Sequence, residues 1–405
     1  MNSTFTWLDY SEQERRKMLD VIHSFDEKGT RDELGISTIR DGLADLLFPG
    51  TGTVQTRARY FLFIPWIYKD LEQQNIPSNE IAKKARDREI ELIYALEEGG
   101  EKIAGVIGVE ARDELQRLPS NIYWNGLGVW GVRIFQGSQD QYHRNLDSWY
   151  QQKSERPKVD PGESSEGTSL QSNWHPGIPA PRNGWRWKLD FQLTRPESRF
   201  LRDGILNRTS GSLLAHLVSR EKSLSETDFC WNSEAYGDFP VNNRVQVGHA
   251  RAFSEIIHGA ALIYNLLLAE KASKKNLVES YRGKLRDWSK MLEDRGALIA
   301  QWESKAFWKM LNDHDVRVTR RTSEFVSEWI RHVQASAQPW KLADNKEVRC
   351  LIQEREHSLK RGLARLENPR ALELWNEEAG TGRLDFRWRV SRQMINDILE
   401  GLGHA

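Results

Sequence analysis

Apolar residues recur at three- and four-residue spacing over most of this chain, the periodicity of helices that bury one face. Near the start, Ser11 with Glu14 three residues on forms a capping box, followed by Met18, Leu19, Ile22 and Phe25 on one stripe. Ser37 opens a second helix whose apolar positions are Ile39, Leu43, Leu46 and Leu47, and Pro49-Gly50 stops it. A third helix is expected from near Thr53, and a fourth, capped by Ser78, runs to Gly99-Gly100. Residues 109–135 give a short helix, a turn at Pro119-Ser120, a second short helix and a β-like Val132–Phe135, the order of a winged helix-turn-helix domain.

Beyond residue 184 the pattern is again helical. Thr194 and Glu197 make another capping box with Pro196 in the first turn. Further helices are expected at about 210–220, 244–270, 276–304, 323–336, 346–366 and 386–401. Between the two parts, residues 137–184 are rich in Gly, Pro, Ser and Gln and poor in aliphatics, which predicts a linker or surface insertion. Its end offers Trp174, Ile178 and Trp185 as apolar anchors for an extended segment. The expected fold is therefore mainly α with little β: a helix-turn-helix or winged-helix-like domain over 1–136, a polar insertion over 137–184, and a helical domain over 185–405.

One stretch interrupts the amphipathic pattern. In "FPGTGTVQTRARYFLFIPWIY", residues 48–68, Tyr60 to Ile67 are apolar on every face, which marks a buried core helix with Pro65 inside it. The run is too short to span a bilayer, which needs about 20 residues. The preceding glycines follow a helix and lack a lysine, so this is no phosphate loop of the Walker type. Gln55, Thr56, Arg57 and Arg59 at its mouth are placed either to contact a nucleic acid or to pair with neighbouring carboxylates.

Charge narrows the options only locally. Lys+Arg and Asp+Glu both total 58, so the chain as a whole carries no basic footprint for a polyanion. Residues 1–135 hold 17 basic against 22 acidic side chains, and residues 185–405 hold 36 against 30, so a polyanion contact is expected in the C-terminal part. Two clusters stand out there: Arg317, Arg320 and Arg321, then Arg387, Arg389 and Arg392 beside Phe386 and Trp388. Arginines interleaved with aromatics suit nucleic-acid backbone contact, whereas a solvated helix face is the plainer alternative. The two cysteines are far apart and without CxxC or Cys/His company, so neither a disulfide framework nor a zinc site is expected, and a reducing cytoplasm fits. No export signal opens the chain.

In "GHARAFSEIIHGAALIYNLLLAE", Arg251, Glu255, His258 and Asn265 fall on one side of a helix among apolar neighbours, and buried polar groups there must pair or face a cavity. Arg251, Glu255 and His258 are the candidate catalytic pocket. Glu255-x-x-His258 and Glu354-x-x-His357 each match half of a di-metal carboxylate motif. In the second, Leu351, Ile352, Leu359, Leu363 and Leu366 are expected to face inward and Glu354 and His357 outward, so no metal or other cofactor is expected.

"TIRDGLADLLFPGTGTVQTRARYFLFIPWIY" together with "LPSNIYWNGLGVWGV" resembles an uncharacterised bacterial family, domain-of-unknown-function family 6361. The resemblance covers essentially the whole chain and implies a link to antiphage defence islands, where helicases, methyltransferases or nucleases would be neighbours and partners. It supplies no catalytic residue. The expected function is accordingly an accessory or sensor component of a defence system that binds DNA or a partner protein, leaning away from enzymatic activity. The alternatives are a nucleic-acid-processing hydrolase around Arg251, Glu255 and His258, and a protein-binding scaffold.

Overall fold

The computed structural model describes residues 32–101, 105–155, 172–182 and 188–403, and the helix expected after Ser11 lies outside them. The described helices of ten residues or more are α1 (Ser37–Leu47), α2 (Tyr60–Gln73), α3 (Ile81–Glu98), α4 (Pro119–Val129), α5 (Gln139–Ser154), α6 (Arg195–Arg208), α7 (Val241–Lys271), α8 (Lys275–Arg295), α9 (Ser304–Asp313), α10 (Arg320–Ala335), α11 (Lys346–Lys360) and α12 (Trp388–Leu402). The protein is mainly α. Its one isolated β-bridge among the described residues joins Arg133 to Trp174, and through it the β-like Val132–Phe135 pairs with the segment around Asn173.

The chain forms two compact units that interleave in sequence. One takes in the described chain up to Leu43 together with Gly248–Leu384; the other takes in Ala44–Val247 and Asp385 onward. These limits differ from the boundaries expected at 136 and 184, because α12, at the chain's end, packs on α6 in the second unit. Long-range packing of that kind leaves no mark in local composition. Parts of 137–184, expected as a linker or surface insertion, carry regular or docked structure among the described residues. Ser138 and Gln141 make a capping box that starts α5, Tyr142 and Leu146 are buried on it, and Asn173, Trp174 and Ile178 are buried beyond it. Trp185 lies outside the described residues.

The second unit is built on α2. All residues from Tyr60 to Tyr68 are buried, as an all-round apolar helix requires, and each fully buried large side chain contributes about 1.5–3 kcal/mol. Phe61 stacks on Trp130 with ring centroids 3.8 Å apart, and α3 and α4 pack on the same helix. The helix begins at Tyr60 and not near Thr53; residues 53–59 are turns held by side-chain bonds. Ser78 does not cap α3. It donates both its N–H and its hydroxyl to Asp147, while α3 starts without a side-chain cap.

The first unit centres on the part of α7 from Gly248 onward. Trp288 on α8 and Trp329 on α10 donate their indole N–H groups to the carbonyls of Glu255 and Ile256, at 2.8 and 3.0 Å, so two large rings are anchored on one turn of α7. Gly259 makes room for this: a Cβ there would stand 2.2 Å from the Trp288 ring. Several expected helix ends shift where the backbone turns left-handed. α8 stops at Gly296 (φ +45°), α11 stops before Arg361 (φ +49°), and α12 starts after Phe386 and Arg387 (φ +52° and +66°). On α11 the buried positions are Val348, Ile352, Arg355 and Glu356, whereas Leu359 and Leu363 are exposed. The expected stripe misplaced that face because Arg355 is drawn inward by the carbonyls of Leu34 and Gly35. By length and hydropathy α7 would suffice to cross a bilayer, yet its most apolar window is 89% buried within the protein.

Buried on α3, Glu89 accepts hydrogen bonds from both the N–H and the hydroxyl of Ser120, at 2.7 and 2.6 Å. Burial nonetheless pushes its carboxyl up to about 7, the Ser120 bonds opposing the shift. A carboxyl whose folded pKa is raised binds its proton more tightly folded than unfolded. Its contribution is complete below about 4.5 and is lost as pH rises through 7, about 3 kcal/mol in all. Urea midpoints should therefore fall between pH 5 and pH 8 in the native protein and stay flatter in Glu89→Gln. Equal slopes for the two proteins would refute this assignment.

Candidate functional site

Arg251, Glu255, His258 and Asn265 line one side of α7, and the structure shows what their polar atoms meet. A segment without helix or strand, residues 375–384, runs past them. Its backbone has no regular ladder, so side chains hold it. Ser254 donates to the carbonyl of Leu384 (2.8 Å), and His258 Nε2 lies 3.0 Å from the carbonyl of Thr381. Asn265 closes the far end: its amide N–H donates to the carbonyl of Ala379 (2.7 Å), and its oxygen accepts from the N–H of Ala379 and the indole N–H of Trp375. Tyr281 on α8 adds a bond to the carbonyl of Glu377 (2.6 Å). The polar stripe of α7 is thus a clasp for a strap.

Glu255 does something different. Its carboxylate, 1% exposed, is shared by three guanidinium groups: Arg251 at 2.8 Å, Arg295 at 3.0 Å and Arg383 of the strap at 3.5 Å. One buried carboxylate thus ties α7, α8 and the strap together.

Strap, α7 and α8 enclose a cleft of about 780 Å³, within the range of small-molecule sites. His258, Leu262 and Trp288 are on its walls, Thr381 and Arg383 come from the strap, and Lys284, Asp287 and Glu378 stand toward solvent. A smaller cavity of about 60 Å³ shares His258, Gly380 and Gly382 with the cleft and extends to Tyr264 and Arg40. Burial pushes the His258 imidazole down to about 4, and the positive charges of Arg383 and Lys284 push the same way. It is therefore neutral near pH 7. Because a carbonyl can only accept, Nε2 carries the proton, and Nδ1 is a buried lone pair with no hydrogen-bond partner among the described residues.

The two half-motifs for metal are not brought together. Glu255 is occupied by arginines, Glu354 is exposed beside Cys350, and His357 pairs with Glu367. Among the described residues no group of three or more His, Cys, Asp or Glu side chains is placed to hold a metal ion.

The nucleic-acid candidates divide into two sets. Gln55 is buried and bonds to Gly50, Gly52 and Ile122, and Thr56 donates to the carbonyl of Gly105. Arg57 binds Asp397 of α12 (2.8 Å), which also accepts the N–H of Ala58, and Arg59, 3% exposed, binds Asp190 and Glu197. Between a polyanion and a neighbouring carboxylate, these arginines meet the carboxylate. Burial raises the Asp397 carboxyl above its ordinary range while Arg57 opposes the shift. Arg387 bonds to Asp45 and the carbonyl of Thr51, and Arg392 to Glu226. Exposed, by contrast, are Arg317, Arg320, Arg321 and Arg389, with Arg320 paired to Glu324.

Sequence reasoning overlooked Lys284, Arg295 and the strap itself. A signal existed: "AGTGR", residues 379–383, puts two glycines and a threonine directly before an arginine.

Fold and site together define a mainly helical protein with a cleft walled on one side by a clasped strap. The chain belongs to DUF6361, described as a family of unknown function, whose model matches residues 2–401. No curated protein and no solved structure matches the chain.

Two substitutions probe this arrangement. Asn265→Ala strips partners from Ala379 and Trp375, so amide hydrogen exchange across 375–384 should accelerate while α2 keeps its protection; unchanged exchange in the strap would remove the clasp. Arg57→Ala leaves Asp397 buried without its cation and should cost about 3–5 kcal/mol in denaturant unfolding. A stable Arg57→Ala protein would show that this arginine is not a structural group.

Proposed function

We propose that this protein is a sensor component of a bacterial defence system and that its cleft between α7, α8 and the strap binds a small polar molecule. The observation that carries this reading is the convergence of His258, Lys284, Thr381 and Arg383 on one cleft of about 780 Å³. The buried, unpartnered Nδ1 of His258 adds support, since an uncompensated buried polar atom costs about 1–3 kcal/mol and is retained where a site needs it. The defence role is supported by the family resemblance alone. A strap held by side chains is suited to sensing: a ligand that touches it shifts the balance between clasped and released states. A hydrolase at Arg251, Glu255 and His258 has less support, because Glu255 is engaged by three arginines and not available as a base.

A second reading is contact with nucleic acid through Arg317, Arg320 and Arg321, motivated by their exposure. Helix-turn-helix reading of bases through α4 is less favoured, since Ser120 is committed to Glu89 and only Asn121 and Asn125 are exposed there. A salt-dependent anisotropy change with duplex DNA, reduced in Arg317→Glu/Arg321→Glu, is the expected sign; no change at low salt would end that reading.

The cleft reading is tested by denaturing protein purified from its host and identifying released small molecules by mass spectrometry. A stoichiometric molecule is expected from the native protein and a depleted one from Met291→Trp, which fills the cleft. If nothing is released and no compound of a metabolite panel raises the melting temperature, the reading falls.

A further inference from the structure

The second unit holds a pocket of its own, built around Asn173. The carbonyl of Asn173 accepts from the N–H groups of Ile134 and Phe135, at 2.9 and 3.1 Å, and its side-chain amide donates to Glu72 at 2.9 Å. The hydroxyl of Tyr142 and the indole N–H of Trp174 donate to the same Glu72 oxygen, at 2.6 and 3.1 Å, so one buried carboxylate fixes this side of the pocket. The other side is α5. On it Asn145, Ser148 and Gln152 recur at the spacing of one helix face, and with Phe135, Tyr142 and Asn173 they line about 420 Å³, within the range of small-molecule sites.

The chemistry of this lining is narrow. In a chain of which 29% of residues are charged, none of the residues lining the pocket is Asp, Glu, Lys, Arg or His. A phosphate or carboxylate would need a cation there, and an ammonium a carboxylate. Lys153 lies over the ring of Trp149, 5.1 Å from its centroid, and does not line the pocket. Asn145, Ser148 and Gln152 make no side-chain hydrogen bond among the described residues, so their donors and acceptors are uncommitted. Amides and hydroxyls both donate and accept, which matches a partner made of hydroxyls. Phe135 and Tyr142 meet edge-on, with ring centroids 5.6 Å apart and planes at 74°, so they offer ring surface without the parallel slot in which a planar base would stack.

We infer that this pocket binds a neutral, hydroxyl-rich small molecule, a mono- or disaccharide, through Asn145, Ser148 and Gln152 of α5 and the fixed Asn173. The site is separate from the cleft between α7, α8 and the strap, with which it shares no lining residue, and stands whether or not that cleft binds a ligand.

Saturation-transfer NMR of the full chain with glucose, maltose, N-acetylglucosamine and diacetylchitobiose provides the test, with glucose 6-phosphate and uridine as controls. At least one neutral sugar should receive saturation, and the controls should receive none. Asn145→Ala/Gln152→Ala should weaken that sugar by about tenfold or more at an unchanged melting temperature, since both side chains are exposed and bond to nothing described. Met291→Trp, which fills the cleft, should leave sugar binding as it is. Saturation of none of the four sugars, transfer to a control alone, or equal affinity in the double variant would overturn the inference. Loss of sugar binding in Met291→Trp would also overturn it, while placing the sugar in the cleft and leaving that reading intact.

Discussion

A helix that buries polar side chains must give every one of them a partner, and in the first unit that requirement shapes everything around α7. Ser254, His258 and Asn265 find theirs in the backbone of residues 375–384, which has no sheet or helix of its own to satisfy it. The need is mutual: an unpaired buried donor or acceptor costs about 1–3 kcal/mol on either side. The clasp thus converts an irregular segment into a cleft wall. Trp288 and Trp329, fixed on the adjacent turn of α7, hold the helices that complete the enclosure.

Ion pairing in the second unit follows a related rule with a different outcome. Arg57 and Arg59 precede an apolar helix and face inward, where a charge without a counter-charge is prohibitive. Asp397, Glu197 and Asp190 supply the counter-charges from distant parts of the chain. Their electrostatic demand is met locally, so they tie α2 to α6 and α12 and leave little positive potential outside. At Glu255 one buried carboxylate is shared by three arginines from α7, α8 and the strap.

Family membership locates this protein among chains of unknown function, so its chemistry has to be argued from the cleft. A strap secured by side-chain bonds is a low-stability element by construction: few backbone ladders, several replaceable contacts and an exposed outer face. The cleft and the strap share residues 380–383, which α7 holds, with their neighbours, by side-chain bonds.

Much of the architecture was legible in the linear pattern. The mainly helical fold, the burial of Tyr60–Ile67 and the Thr194 capping box follow from periodicity and local capping chemistry, which act over a few residues. Even α5 had a local signal in Ser138 and Gln141, masked by the polar composition around it. The stripe of Arg251, Glu255, His258 and Asn265 was also visible, as was the rule that its members must pair. Which partners they take was not, because Thr381, Ala379 and Leu384 lie more than a hundred residues away and offer backbone carbonyls that every residue possesses. The interleaving of the two units, the capture of Arg57 by Asp397 and the convergence of Lys284 with Arg383 are likewise decisions of tertiary packing. Local sequence determines what each segment must bury and satisfy; only the folded chain determines what satisfies it.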